Sequence, residues 1–120
     1  MTMQPRDVVA DFVRAVNTHD AAAFITLFAD NALVKDAGKE HRGIAEIKSW
    51  SESEIFEPRV TLEVLGVSDG DDETMITAIV DGTFDKTGLP DPLILEHHIA
   101  YDGDKIVRFT SRLAEEKPET

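Results

Sequence analysis

Leu93-Ile94-Leu95-Glu96-His97-His98-Ile99-Ala100-Tyr101-Asp102-Gly103-Asp104-Lys105-Ile106-Val107-Arg108-Phe109-Thr110-Ser111-Arg112-Leu113 holds two runs of strict alternation around one turn. Leu93, Leu95, His97, Ile99 and Tyr101 share one face, with Ile94, Glu96, His98 and Ala100 on the other. Beyond the Asp102-Gly103 turn pair, Val107, Phe109, Ser111 and Leu113 alternate with Ile106, Arg108, Thr110 and Arg112. This period of two predicts an antiparallel hairpin. Upstream, Asp85 to Pro92 is a loop holding Gly88, Pro90 and Pro92. Before it, Thr74, Ile76, Ala78, Val80, Gly82 and Phe84 line one face of a long strand. The Asp69-Gly70-Asp71-Asp72 turn joins that strand to another, Val60 to Gly66.

The first half reads with a different period. Val8, Val9, Phe12, Val13 and Val16 recur at three- and four-residue spacing from Arg6 to Asn17, and Pro5 suits a first helical turn. Asp20 is a good N-cap for a second helix, Ala21 to Ala29, with Phe24, Leu27 and Phe28 as its apolar stripe. Asp30-Asn31 reads as a turn and Ala32 to Asp36 as a short strand. Gly38 to Gly43 is a polar loop or hairpin arm, and Ile44, Ile47 and Trp50 mark a third helix reaching about Ile55, which Pro58 ends. Helices segregated from a run of antiparallel strands define the α+β class. A single domain over 1–120 is expected, its ordered core at about 6–113 and a charged tail at 114–120.

Composition narrows the function. Of 120 residues, 42% are hydrophobic and 30% charged, which is globular composition. Twelve basic against 24 acidic residues give a net charge of −12, the wrong sign for tracking nucleic acid or binding an anionic membrane. No apolar run approaches the roughly 18 residues of a membrane-spanning helix. Met1 to Asp7 lacks the apolar core of a secretory signal, so the cytoplasm is the expected location. Zero cysteines exclude thiolate metal sites and a cysteine nucleophile. His97 and His98 point to opposite strand faces and no His-x-His or His-x-x-x-His spacing exists, so neither a metal nor another cofactor is expected.

Two polar groups stand on apolar faces. Asp36 is in register with Ala32 and Val34; His97 lies between Leu95 and Ile99. A carboxylate among aliphatic neighbours loses hydration, its pKa rises, and it becomes a usable base near neutrality. An imidazole beside it can donate a hydrogen bond to a substrate oxygen. Competing readings are structural: Asp36 accepting N–H bonds at a strand end, His97 as a satisfied core residue, and His41 as an exposed loop histidine. Trp50 fits a helix stripe and needs a partner for its indole N–H. The acidic clusters Glu52/Glu54/Glu57 and Asp69/Asp71/Asp72/Glu73 read as solvated surface.

Phe12-Val13-Arg14-Ala15-Val16-Asn17-Thr18-His19-Asp20, followed by Leu27-Phe28-Ala29-Asp30-Asn31-Ala32, resembles the N-terminal helices of the nuclear transport factor 2-like superfamily. Asp36-Ala37-Gly38-Lys39-Glu40-His41-Arg42-Gly43, with Ile44, Ile47 and Trp50, is similar to its SnoaL-like branch, and the likeness spans about Arg6 to Leu113. The resemblance implies a cone-shaped α+β barrel, a strongly curved antiparallel sheet wrapped on three helices of the N-terminal half. It also implies a deep pocket and commonly a homodimer. Family members include ketosteroid isomerases, polyketide cyclases, dehydratases, epoxide hydrolases and proteins that bind without chemistry. By that resemblance Asp36 matches the isomerase's proton-shuttling aspartate, Phe12 its oxyanion-hole tyrosine, His97 its protonated aspartic acid and Trp50 an aromatic pocket position. Both oxyanion donors are thus replaced, one by a ring that cannot donate, which argues against ketosteroid isomerisation itself.

The expectation is a pocket protein for a small, mostly apolar, uncharged molecule. Any chemistry would be proton transfer of isomerase, cyclase or dehydratase type, with Asp36 as base and His97 and His41 donating to oxygen. Phe12, Trp50, Val80, Phe84, Tyr101 and Phe109 would form the walls. The alternative is a non-catalytic ligand-binding or homodimeric module.

Overall fold

The computed structural model describes residues 6–36, 38–85 and 87–113. Helix α1, Arg6–Asn17, buries Val8, Val9, Phe12, Ala15 and Val16. Its end is clasped to the sheet by one side chain: Asn17 Nδ2 donates to the Leu62 carbonyl at 3.0 Å, and the Leu62 N–H donates to Asn17 Oδ1 at 2.7 Å. The amide thereby stands in for a neighbouring strand. Helix α2, Ala21–Ile25, is capped by Asp20, whose Oδ1 accepts from Ala23 N–H at 3.0 Å.

The expected second helix is four residues too long. Strand β1, Phe28–Asp36, already starts at Phe28, because the Ile106 N–H donates to the Leu27 carbonyl at 2.7 Å and Phe28 pairs with Ile106. The Asp30-Asn31 turn signal appears instead within a register irregularity between Phe28 and Leu33. Strand β2, Lys39–Arg42, is the hairpin arm against β1. Helix α3, Ile44–Ser51, continues as a π-helical turn, Glu52–Phe56, and buries Ile47, Trp50, Ser51 and Ile55.

Strands β3, Thr61–Asp69, β4, Glu73–Asp81, β5, Ile94–Asp102, and β6, Lys105–Leu113, complete a six-stranded sheet in the order β2-β1-β6-β5-β4-β3. The α+β architecture is the one read from the sequence. Two details refine it: β1 runs parallel to β6, making the sheet mixed, and β2 and β3 are its edges. The long strand ends at Asp81, three residues before Phe84. There Gly82 passes under the Pro58 carbonyl, which a Cβ would meet at 2.8 Å, while Thr83 N–H donates to that same oxygen at 2.7 Å. This contact ties the end of β4 to the segment after α3.

Burial alternates along β4, with Thr74, Ile76, Ala78 and Val80 turned inward. Phe12, Phe24, Phe109, Ile47, Ile76, Ile99 and Ile106 are the largest fully buried side chains, joining α1, α2 and α3 to the inner sheet face. On the edge strand β3 only Leu62 is buried. No helix among the described residues is long and apolar enough to cross a membrane.

Candidate functional site

One cavity of about 1170 Å³ opens between the helices and the inner sheet face. Aromatic and aliphatic walls come from Phe12 and Val16 on α1, Trp50 on α3, Leu62 on β3, Val80 on β4 and Phe109 on β6. Phe84 and Leu93, in the β4–β5 loop, also reach it. The volume suits a drug-sized organic molecule.

Three polar side chains lie in one row across the sheet at this cavity. Asp36 on β1 pairs with Ser111 on β6, and Ser111 pairs with His97 on β5. Directly paired residues present their side chains on the same face, and all three line the cavity. With strands about 4.8 Å apart, the Asp36 and His97 backbones stand roughly 10 Å from each other. A small molecule can touch both.

Asp36 is half-buried at the end of β1. The Trp50 indole Nε1–H donates to its Oδ2 at 3.0 Å, which answers the need for an indole partner and fixes the carboxylate. Among the described residues no other hydrogen bond to this carboxylate is made. The structural alternative, a strand-end aspartate occupied by loop N–H groups, has no such bond among the described residues.

His97 is only 6% exposed, and neither of its ring nitrogens has a hydrogen-bond partner among the described residues. Its ring stacks on Phe109, centroids 5.3 Å apart at 21°, and meets Phe12 at 6.4 Å and 56°. Burial first, and then the charge of neighbouring His98, pushes its pKa down to about 4. At neutral pH the ring is therefore an uncharged imidazole offering one N–H and one lone pair. A buried polar side chain without partners is costly, and a ligand polar group would relieve that cost.

The remaining expected site residues separate. Phe12, Trp50, Val80, Phe84 and Phe109 gather at the cavity. Tyr101 does not, which corrects its place among the walls. Tyr101 keeps the inward parity of His97 and Ile99 but lies at the turn end of β5, where its hydroxyl bonds to Thr74 Oγ1 at 3.0 Å. The register irregularity beside it leaves Val107 of β6 unpaired and turns Ile106, expected opposite Phe109, into the core with it. His41 also stays outside the main cavity, so it does not stand beside the His97 ring. It lines a second, polar cavity of about 470 Å³ with Lys39, Glu46 and Ser49. Its ring centroid lies 6.1 Å from that of Trp50.

Sequence reasoning treated Glu54, Glu57 and Asp85 as surface or loop, yet they line the main cavity too, with Glu96 and Arg112. Alternation carried no signal for them, since they sit in the π-helical turn and the loops. On the outer face His98 lies 3.3 Å from both Glu73 and Glu96, and no metal-binding cluster occurs among the described residues.

Residues 9–112 match the family described as the SnoaL-like domain. No match was found among the curated proteins. Solved structures share the fold. A candidate polyketide cyclase from Sinorhizobium meliloti is 24% identical with a TM-score of 0.79, over 92% of this chain and 100% of that one. A candidate ketosteroid isomerase from Kribbella flavida is 14% identical at 0.77, over 99% and 85%. A protein of ketosteroid isomerase-like fold from Catenulispora acidiphila, solved with trimethylamine, is 20% identical at 0.72, over 91% and 86%.

Proposed function

This chain belongs to the SnoaL-like domain family, and from that premise we propose that its cavity takes a small, mostly apolar, uncharged molecule on which Asp36 acts as a base. The row Asp36, Ser111, His97 carries the reading. Asp36 Oδ1 takes a proton from the carbon next to a ligand carbonyl, and the electron pair moves to the carbonyl oxygen. The N–H of neutral His97 donates to that oxygen as charge grows on it, the moment at which a fixed donor in a water-poor site contributes most. Phe12 supplies shape and no donor. Return of the proton to a different carbon gives isomerisation; attack of the enolate on a second carbonyl, or loss of hydroxide, gives cyclisation or dehydration. The candidate cyclase and candidate isomerase among the structural relatives fit this class of chemistry.

The test is exchange of the α-protons of 2-tetralone, an uncharged bicyclic ketone, followed by NMR in deuterated buffer. The chain should accelerate exchange, and Asp36→Asn should remove the acceleration. Tetralone bound in the cavity with no acceleration establishes the second reading, a binding module without chemistry, which the lack of a donor at Phe12 favours.

We also propose that two copies pair through the outer sheet face. Met75, Thr77 and Ile79 of β4 and Ile94 of β5 are half-buried there with no helix of the described residues over them. Light scattering reading a dimer mass supports this; a monomer at micromolar concentration removes it.

A further inference from the structure

Four residues, Asp36, Trp50, Ser53 and Glu54, line both the main cavity and the smaller polar one. The carboxylate is thus part of a partition. On one side lies a largely apolar chamber; on the other lies a chamber bounded by Lys39, His41, Glu46 and Ser49. Trp50 spans the partition: its indole N–H holds Asp36 Oδ2 at 3.0 Å, and its ring stands 6.1 Å from the His41 ring. At about 470 Å³, lined by charged and hydroxyl side chains besides the Trp50 ring, the smaller chamber has room for several ordered waters.

We infer that the polar chamber is a second approach to Asp36, a proton passage to solvent in which His41 relays. The inference rests on the base reading for its chemical purpose. With a ligand filling the apolar chamber, a proton held on Asp36 faces hydrocarbon on that side. On the other side it can pass to water. The sequence of transfers balances: the ligand carbon gives its proton to the Asp36 carboxylate and its electron pair to the carbonyl oxygen. The carboxyl then gives that proton to a chamber water, which passes one to the His41 imidazole. The imidazolium releases it to bulk solvent. A base with only the apolar chamber must return its proton to the ligand; a base with this second approach can discard it, as net deprotonation requires. His41 acts through Asp36 and touches no ligand.

The groups facing His41 are Asp36 from β1, Lys39 from its own strand, Glu46 from α3 and Glu54 from the π-helical turn. Glu46 is engaged, its Oε1 accepting from the Arg42 N–H at 2.7 Å. Trp50 touches both ends of the relay, donating to Asp36 Oδ2 at 3.0 Å with its ring centroid 6.1 Å from that of His41.

Carbon-detected NMR of the full chain tests the link. The Asp36 carboxyl signal is followed against pH in the wild type and in His41→Gln, a variant on an exposed edge strand. The expected wild-type curve has a second inflection coinciding with the His41 ring titration, and His41→Gln abolishes it. In deuterated buffer, α-exchange of 2-tetralone should also fall about tenfold in His41→Gln, with half-saturation unchanged. Superimposable Asp36 curves in the two proteins would overturn the relay, whatever the exchange rates. If the curves differ but the wild type exchanges no deuterium, the base reading fails and the passage stands. If exchange proceeds and the curves coincide, the base reading stands and the passage fails.

Discussion

His97 and Tyr101 are buried polar residues four apart on the same strand, and they stand in opposite conditions. The Tyr101 hydroxyl bonds to Thr74 Oγ1, which in turn donates to Asp69 Oδ1 at 3.1 Å. That end of β5 is a closed polar chain anchoring the β3–β4 turn. Further along β5 both nitrogens of His97 lack partners among the described residues, and the ring packs against Phe109 and Phe12. The contrast separates polarity satisfied within the chain from polarity that has no partner among the described residues, the feature on which the proposed ligand site rests.

Breaking the ligand end should give the largest effects. Asp36→Asn keeps the shape of the side chain and an oxygen for the Trp50 N–H, and should lower tetralone exchange by roughly 10²–10⁴-fold, as removal of a general base does. Circular dichroism should show an unchanged fold. An effect below about threefold would place the base elsewhere.

Next, His97→Phe removes the unpartnered nitrogens and keeps an aromatic ring beside Phe109. Ketone affinity by calorimetry should fall about tenfold, near 1.4 kcal/mol for one lost hydrogen bond to the ligand, while thermal stability at neutral pH stays level or rises. The same variant sharpens the pH behaviour. His97 has a folded pKa lowered from the ordinary 6.5 to about 4. The unfolded chain therefore takes up the proton first. The stability contributed by the neutral ring is complete above about 6.5 and is lost progressively as pH falls from there through about 4. Denaturant melts across that window should lose less stability in His97→Phe than in the wild type; equal losses would show that His97 titrates as it does in water.

At the satisfied end the sign reverses. Tyr101→Phe strips a donor from Thr74 and should cost about 1 kcal/mol in unfolding free energy, with ketone affinity untouched. Of similar size, Asn17→Ala removes both bonds to Leu62 at a partly exposed place where water can reach the freed groups, and should cost about 1 kcal/mol. Its effect on binding should be nil.

Much of this arrangement can be read from residue order. The α1 stripe and the parity of β4 and β5 follow from period alone, and they place Phe12, Val80 and His97 against one cavity. Asp36 follows from its parity with Ala32 and Val34. What escapes such reading depends on chain segments far apart. Phe28 fits a helix stripe by spacing, and only the hydrogen bond from Ile106 draws it into β1. The parallel pairing of β1 with β6 brings Ser111 between Asp36 and His97, and no local pattern announces it. Tyr101 keeps the inward parity but lies too far along β5 to line the cavity, and the extra residue Val107 on β6 turns Ile106 into the core with Phe109. The carboxylates at the cavity mouth sit on a π-helical turn and loops, where alternation has no meaning.

Trp50 is the sole tryptophan of the chain, and its indole forms part of the wall of both chambers. The molecule consequently carries a single indole fluorophore, bonded to the Asp36 carboxylate and beside the His41 imidazole. Filling the apolar side should shift its emission maximum, and charging the imidazole on the polar side should dim it. Occupancy and protonation can thus be told apart by colour and brightness in one cuvette, without a label.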